Sequence, residues 1–248
     1  MKEDEQLQNT LPNNLSPEKT EMMMPYQPQM VHNLVTPEEA KSLIQFHKEH
    51  PHLVRIGSDK EYVGIRMCHI KTQWVRDIIW RIVYHLIGEI RLISNQVVVP
   101  EMIGLNRWPI GGEQHPHLDT YSNQEMELNT FHGQPSREWT CILYLNDDLK
   151  GGETYIPQGK FLCHDNVERE YPPETFPPQA TSGLLFQGIY IPHGVSKVRR
   201  NDRYTISLWF SSNLKKQMMT HPIHLDDNED SFRLQLDEKG PTWPNPEN

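Results

Sequence analysis

Hydrophobic residues recur at two spacings along the chain, and each spacing predicts a different kind of element. In the first part they recur every three or four residues, which is typical of amphipathic helices. One helix begins at Pro37, because Thr36 can cap it and Glu39 completes a capping box. A second helix runs from about Thr72 to Gly88, where the glycine closes its carboxyl end. Both helices are expected to pack on a sheet.

From residue 96 onwards the hydrophobic runs become short or alternate with polar residues, which predicts β-strands. Turn residues separate five such runs, which read NQVVVPEMIGLNRW, WTCILYLN, ETYIP, GLLFQGIYIP and RYTISLWF. Many short strands joined by turns favour a β-sandwich or a jelly-roll barrel. The predicted fold is therefore mainly β, with supporting helices.

The two ends of the chain show neither spacing. Residues 1–30 are polar and dotted with prolines, which predicts a disordered N-terminal tail. Residues 213–248 are predicted to form an acidic C-terminal tail. Between them lie a helical support region at 31–95 and one barrel domain at 96–212, since 248 residues suffice for one substantial core.

Charge and cysteine content narrow the range of partners. The formal net charge is −9, and the longest basic run is KVRR at 197–200, so no nucleic-acid partner is expected. Three widely spaced cysteines without a CxxC pair predict a reducing compartment. The amino terminus has no apolar signal segment, and charges interrupt the most apolar run at 74–90. A soluble, cytoplasmic protein without a membrane partner is predicted.

The stretch GGEQHPHLDTY, at 111–121, holds a group of candidate metal ligands. A regular β-strand would project His115, His117 and Asp119 from one face. Non-haem Fe(II) sites use two histidines and one carboxylate, and His-x-Asp on a strand can chelate one ion. His117 and Asp119 fit this pattern, and His193 of IYIPHGV is the candidate for the third ligand. The strand alone leaves His115 open as a ligand, and otherwise His115 is expected near the mouth of the pocket.

Arg203 lies ten residues after His193 and opens the strand RYTISLWF. On this strand Arg203, Thr205 and Ser207 share one face, while apolar residues on the other face point towards a core. Because an arginine is costly to bury alone, its position implies an anionic partner. A planar guanidinium is well matched to a carboxylate.

Three segments together resemble the Fe(II)/2-oxoglutarate dioxygenases of the prolyl 4-hydroxylase type. They are WPIGGEQHPHLD, WTCILYLNDDLKGGETYIP and PHGVSKVRRNDRYTISLWF, and the resemblance covers roughly residues 96–211. The shared order is a glycine pair before His-x-Asp, a Tyr-Leu-Asn strand end, a Gly-Gly-Glu-Thr turn, and a basic residue ten positions after a histidine.

The resemblance implies a double-stranded β-helix, which is a jelly-roll barrel, and a hydroxylase acting on an unactivated C–H bond. Its cofactors are Fe(II), 2-oxoglutarate as co-substrate and O₂, with ascorbate keeping the iron reduced. The catalytic metal triad of the family matches His117, Asp119 and His193. The 2-oxoglutarate site matches Arg203, which grips the distal carboxylate, Tyr144, which hydrogen-bonds it, and Thr154 and Thr205, which line the same pocket.

The substrate is the least determined feature. The resemblance favours a prolyl residue in a peptide or protein, and two long segments at 120–138 and 158–180 are expected to select it. A free amino acid or another small metabolite is an alternative, and a barrel that binds without turnover is a third. Gln114 stands where the family often has a tyrosine, and Trp209 stands where related nucleic-acid demethylases carry a second arginine.

Overall fold

A computed structural model of the chain describes residues 25–56, 62–119 and 137–212, and the backbone of 236–237 and 240–241. Its helices are α1 (Pro37–Glu49) and α2 (Gln73–Ser94), with 3-10 turns at Pro51–Leu53 and Met67–His69. Its strands are β1 (Gln29–Val31), β2 (Arg55–Ile56), β3 (Val63–Arg66), β4 (Val99–Trp108), β5 (Gln114–His117), β6 (Trp139–Tyr144), β7 (Thr154–Ile156), β8 (Gly159–Leu162), β9 (Glu168–Tyr171), β10 (Glu174–Phe176), β11 (Gly183–Phe186), β12 (His193–Val195), β13 (Arg203–Ser211), β14 (Leu236–Asp237) and β15 (Gly240–Pro241).

The strands form two main antiparallel sheets. The larger has seven strands in the order β1-β11-β6-β13-β4-β3-β2, and the smaller has four in the order β10-β7-β12-β5. Strands β8 and β9 form a separate hairpin, as do β14 and β15. The prediction of a mainly β fold with supporting helices is confirmed.

Strand β13 is buried along its whole length and packs on both faces. Its even-numbered side chains, from Tyr204 to Phe210, join the core beneath the two helices, where they meet Leu43 of α1 and Leu86 of α2. Its odd-numbered side chains face the space between the sheets, as the alternation in the sequence predicts. A second apolar cluster, which includes Ile142 and Phe186, lies on that inner side.

The start of α1 agrees with its sequence signal. The hydroxyl of Thr36 accepts a hydrogen bond from the Glu39 amide, and the Glu39 carboxylate accepts one from the Thr36 amide. This reciprocal capping box satisfies two amide groups that the first helical turn leaves without partners.

The end of α2 differs from the prediction, because the helix passes Gly88 and ends at Ser94. Gly88 is exposed, whereas Leu86 and Ile90 on either side are buried, so the apolar stripe carries the helix onward. Asn95, in the left-handed conformation with φ 56°, forms the actual cap. Among the described residues, no helix combines the length and apolarity needed to cross a membrane.

Two predicted boundaries also change. Strand β1 pairs with β11, so Gln29 and Met30 belong to the large sheet rather than to the predicted tail at 1–30. The support region at 31–95 adds β2 and β3 to the same sheet and is not purely helical. Residues 1–24 lie outside the described residues, as does most of the predicted acidic tail at 213–248.

The glycine inside α2 yields a test of this boundary. A β-carbon at Gly88 would meet no atom within 4 Å, so Gly88→Ala should stabilise the protein by about 0.5–1 kcal/mol through reduced backbone entropy. Gly111 has equally open space but a φ of +93°, so Gly111→Ala should destabilise it by about 1–2 kcal/mol. Chemical denaturation measures both changes. A loss of stability in Gly88→Ala would contradict a continuous helix.

Candidate active site

The antiparallel pairing of β5 and β12 places two histidines opposite each other. His117 lies opposite His193, and their ring centroids are 4.5 Å apart. Oxygen atoms of Asp119 lie 3.8 Å from His117 Nε2 and 3.7 Å from His193 Nε2. All three potential ligand atoms lie within 4.8 Å of one another, and the described residues contain no other such group of three.

Strand β5 contains an irregularity that separates His115 from this group. It advances three residues from Gln114 to His117, while β12 advances only two between the paired residues His193 and Val195. As a result Gln114 and His117 both line the pocket, and His115 is exposed to solvent. The expected projection of His115, His117 and Asp119 from one face is therefore wrong, because it assumed a regular strand.

Both imidazoles are oriented by hydrogen bonds to main-chain carbonyls. His117 Nδ1 lies 3.1 Å from His115 O, and His193 Nδ1 lies 3.0 Å from Ile191 O. Because a carbonyl can only accept, Nδ1 carries the proton in each ring and Nε2 keeps its lone pair for a metal. Burial lowers the pKa of His193 to about 4, so this lone pair is free at neutral pH.

Asp119 is fixed from behind by Thr140 and Gly188. The Thr140 hydroxyl donates to Asp119 Oδ2 at 2.5 Å, and the Asp119 amide donates to Gly188 O at 3.0 Å. Burial on its own would raise the pKa of this carboxyl, but the two histidines and the Thr140 hydroxyl hold the pKa below its ordinary value. Asp119 is therefore an ionised carboxylate held in one orientation, as a metal ligand would require.

This donor set fits a divalent iron ion. Two neutral imidazole nitrogens and one carboxylate oxygen, all supplied from one side, are the ligands of non-haem Fe(II) sites that react with oxygen. Three protein ligands would leave further coordination positions open to small molecules. The fit therefore rests on the identity, charge state and grouping of His117, Asp119 and His193.

Arg203 lies at the start of β13, deep between the sheets, and only 1% of its surface is exposed. Its guanidinium lies 5.3 Å from the ring centroid of Trp108 and 5.4 Å from that of Tyr144, and it donates to Thr154 Oγ1 at 3.3 Å. The Tyr144 hydroxyl donates to the same oxygen at 2.8 Å. No carboxylate of the described residues forms an ion pair with Arg203, and its Nε has no partner. A buried cation in this state fits an anionic ligand.

The Gly-Gly-Glu-Thr turn brings Thr154 to this guanidinium. Gly151 and Gly152 both have a φ of +73°, in the left-handed region that favours glycine. A β-carbon on Gly152 would lie 2.9 Å from Arg203 Cδ, so the turn closes directly over the arginine. Thr205 lies two residues further along β13, where its buried hydroxyl has no partner.

One pocket, partly open to solvent, joins the histidine group to Arg203. It is lined by side chains from both sheets, which are Tyr62, Asn106, Trp108, Gln114, His117, Asp119, Ile142, Thr154, His193, Val195, Arg203, Ser207 and Trp209. Of the residues singled out from the sequence, Tyr144 and Thr205 lie behind this lining and His115 lies outside it. Sequence reasoning missed Asn106, Thr140 and Gly188, although polar residues inside apolar runs such as MIGLNRW are a signal for the first.

Comparisons with known proteins agree with this arrangement. Residues 103–211 match the sequence profile of the 2OG-Fe(II) oxygenase superfamily. Comparison with curated proteins gave no match.

Three solved structures with this fold are prolyl hydroxylases. One, from Trichoplax adhaerens, is in complex with a peptide fragment of the hypoxia inducible factor oxygen degradation domain. Its sequence is 15% identical, the superposition covers 79% of this chain and 87% of the other chain, and the TM-score is 0.58. The viral collagen prolyl hydroxylase of Paramecium Bursaria Chlorella virus-1 is 13% identical. The superposition covers 74% of this chain and 94% of the viral chain, with a TM-score of 0.51. A Pseudomonas putida prolyl-4-hydroxylase is 15% identical. The superposition covers 74% of this chain and 91% of the Pseudomonas chain, with a TM-score of 0.51.

The contact behind Asp119 leads to a prediction about metal affinity. A β-carbon at Gly188 would collide with Asp119 Oδ2 and Thr140 Oγ1, so Gly188→Ala should displace the carboxylate. We expect Fe(II) affinity, measured by anaerobic titration calorimetry, to fall about tenfold to a hundredfold. Gly88→Ala is the matched control and should bind iron normally. Unchanged iron affinity in a folded Gly188→Ala protein would contradict the assigned position of Asp119.

The matched segment begins within β4 and ends with β13, so it contains all three grouped ligands and Arg203. The superfamily uses Fe(II), 2-oxoglutarate and O₂, and the grouped donors and the buried guanidinium fit the first two. Residues 103–211 of this chain are therefore similar to the 2OG-Fe(II) oxygenase superfamily, and the chain is a 2-oxoglutarate-dependent dioxygenase with the fold of the prolyl hydroxylases.

Proposed function

We propose that this dioxygenase hydroxylates a prolyl residue within a peptide or protein. The observation that carries the proposal is the convergence, in one pocket, of a two-histidine, one-carboxylate group and a buried arginine without a carboxylate partner among the described residues. When bound, Fe(II) and 2-oxoglutarate supply the oxidising chemistry, in which one oxygen atom of O₂ enters succinate, with loss of CO₂, and the other enters the substrate C–H bond.

The metal is held by His117, Asp119 and His193. Each histidine offers Nε2, because its Nδ1 proton is donated to a main-chain carbonyl. Asp119 contributes the one negative charge, and Thr140 keeps the carboxylate from rotating away. These residues bind and orient the ion, while the walls of both sheets limit the access of water.

The co-substrate is anchored by Arg203 through its distal carboxylate. The guanidinium lies within 5.4 Å of the ring centroids of both Trp108 and Tyr144, and a planar guanidinium can form two parallel hydrogen bonds to a carboxylate. The hydroxyls of Tyr144 and Thr154 are within the same hydrogen-bond network, and the unpartnered hydroxyl of Thr205 lies beside it on β13. Of these hydroxyls, that of Thr154 lines the pocket and can reorient to donate to the ligand.

The prolyl substrate is supported by two observations. The similar solved structures are prolyl hydroxylases, and one of them holds a peptide fragment. In addition, Tyr62, Trp108 and Trp209 line the pocket, and Tyr62 stacks on Trp108 with ring centroids 4.7 Å apart. Aromatic side chains give this part of the pocket an apolar wall, which suits an aliphatic ring such as pyrrolidine.

The substrate assignment is tested by incubating the protein with Fe(II), 2-oxoglutarate, O₂ and a panel of compounds. The panel contains proline-rich collagen-type peptides, a peptide of the hypoxia inducible factor oxygen degradation domain, and free amino acids. We expect one prolyl residue of a peptide to gain one oxygen atom by mass spectrometry, with an equal amount of succinate formed. Oxygen gained only by a free amino acid would replace the peptide substrate with a small metabolite. Absence of succinate with every compound would identify a non-catalytic binding module.

The adjacent histidines allow a matched test of the metal ligands. His117→Ala should abolish iron binding and turnover, because it removes one of three ligands. His115→Ala, two residues away, should retain iron binding, because His115 is exposed and outside the pocket. Titration calorimetry with Fe(II) under nitrogen measures both. Loss of iron in His115→Ala with retention in His117→Ala would reverse the assignment.

A further inference from the structure

A short turn between β11 and β12 supports two of the three grouped ligands. Residues 187–192 form this β11–β12 turn, which leads directly into His193. The Gly188 carbonyl accepts a hydrogen bond from the Asp119 amide at 3.0 Å. The Ile191 carbonyl accepts one from His193 Nδ1, also at 3.0 Å. A shift of the turn would therefore move Asp119 and His193 together.

The first residue of the β11–β12 turn, Gln187, fixes its position. The Gln187 carbonyl accepts the amides of Tyr190 and Ile191, at 3.0 and 2.9 Å, and so closes the turn. Its side chain is buried, with 7% of the residue exposed, and Oε1 accepts the main-chain amide of Tyr26 at 3.0 Å. A buried carboxamide needs partners, and this one lies 161 positions away in the sequence. The turn is therefore tied to the segment that precedes β1.

Tyr26 also reaches the other support of Asp119. Its ring packs against that of Trp139, with centroids 5.5 Å apart and planes inclined by 30°. Trp139 is buried in the core, and Thr140, which follows it, donates its hydroxyl hydrogen to Asp119 Oδ2. Tyr26 thus contacts the neighbour in sequence of both groups that hold this aspartate, the Thr140 hydroxyl and the Gly188 carbonyl.

The segment at 25–31 is itself anchored on either side of Tyr26. Pro25 is buried before it, and after it β1 pairs with β11, where Val31 enters the core. The backbone of the 25–31 segment is therefore held in place without the two contacts of Tyr26. Loss of those contacts would release the β11–β12 turn while leaving β1 paired.

We propose that Tyr26 and Gln187 are positioning residues of the metal site. Through them the 25–31 segment sets the position of the β11–β12 turn, and the turn keeps Asp119 and His193 within reach of one ion. Neither Tyr26 nor Gln187 supplies a ligand atom, so each acts by orienting residues that do. The inference concerns metal binding alone and holds for any substrate that the enzyme takes.

The Fe(II) affinity of the full chain, measured by anaerobic titration calorimetry, tests the inference without turnover. Gln187→Leu removes the acceptor of the Tyr26 amide at similar volume. It should weaken Fe(II) binding about threefold to tenfold, which is less than for a change that touches a ligand directly. Tyr26→Ala, which removes the ring from Trp139, should weaken binding to a similar extent. Tyr26→Phe keeps the ring and should leave the affinity unchanged.

Two control variants separate positioning from stability. Gln27→Leu makes the same chemical change on an exposed residue of the 25–31 segment and should bind Fe(II) normally. Ile82→Val removes a methyl group from the fully buried core beneath α2, so it should lower the denaturation midpoint without altering Fe(II) affinity. A merely structural role of Tyr26 and Gln187 predicts this same result for their variants.

The geometry of the bound metal gives a second measurement. Co(II) in place of Fe(II) has visible absorption bands that depend on the arrangement of its ligands. We expect these bands to shift in Gln187→Leu and Tyr26→Ala and to stay unchanged in the two control variants. In the double variant, the loss of Fe(II) affinity should be smaller than the product of the two single losses, because both changes break the same connection.

Three results would overturn the inference alone: unchanged Fe(II) affinity in folded Gln187→Leu and Tyr26→Ala, an equal loss in Ile82→Val, or single losses that multiply fully in the double variant. If Gln187→Leu does not fold, Gln187→Asn decides, because it stays polar but shortens the side chain by a methylene group; normal affinity there would contradict the inference. Failure of the unaltered chain to bind Fe(II) would instead refute the assigned ligands, and the inference with them.

Discussion

Burial of β13 on both faces is the constraint on which the rest of the structure depends. Its even-numbered side chains are packed beneath α1 and α2, and its odd-numbered ones face the pocket. The strand is also hydrogen-bonded to β4 on one edge and to β6 on the other. A slip by one residue would move the Arg203 guanidinium into the helix-covered core and turn apolar side chains towards the ligands. The packing of the helices thus secures the position of the anion site.

Much of this arrangement is readable from the sequence because it depends on local patterns. The alternation in RYTISLWF placed Arg203 on the inner face, and the capping box at Thr36 placed the start of α1. The distant His193 could be associated with His-x-Asp only by the combined order of several motifs. That association has a simple structural counterpart, since β5 and β12 are neighbours and pair His117 with His193.

The features that escaped prediction depend on contacts between distant segments. The irregularity in β5 is defined by its pairing with β12. The sequence of one strand does not determine its register against the partner strand. Thr140 lies in β6 and Gly188 follows β11, and both contact Asp119. Only the assembled sheets bring these segments together. Gly88 misled the reading of α2 because a glycine is a helix terminator only when tertiary packing does not continue past it.

The two imidazoles are unequally covered by the rest of the protein. The His193 side chain is 6% exposed and is enclosed by the sheets, whereas that of His117 is 33% exposed. An ion held by this group would therefore be reached by solvent, and by a chelator, from the His117 side.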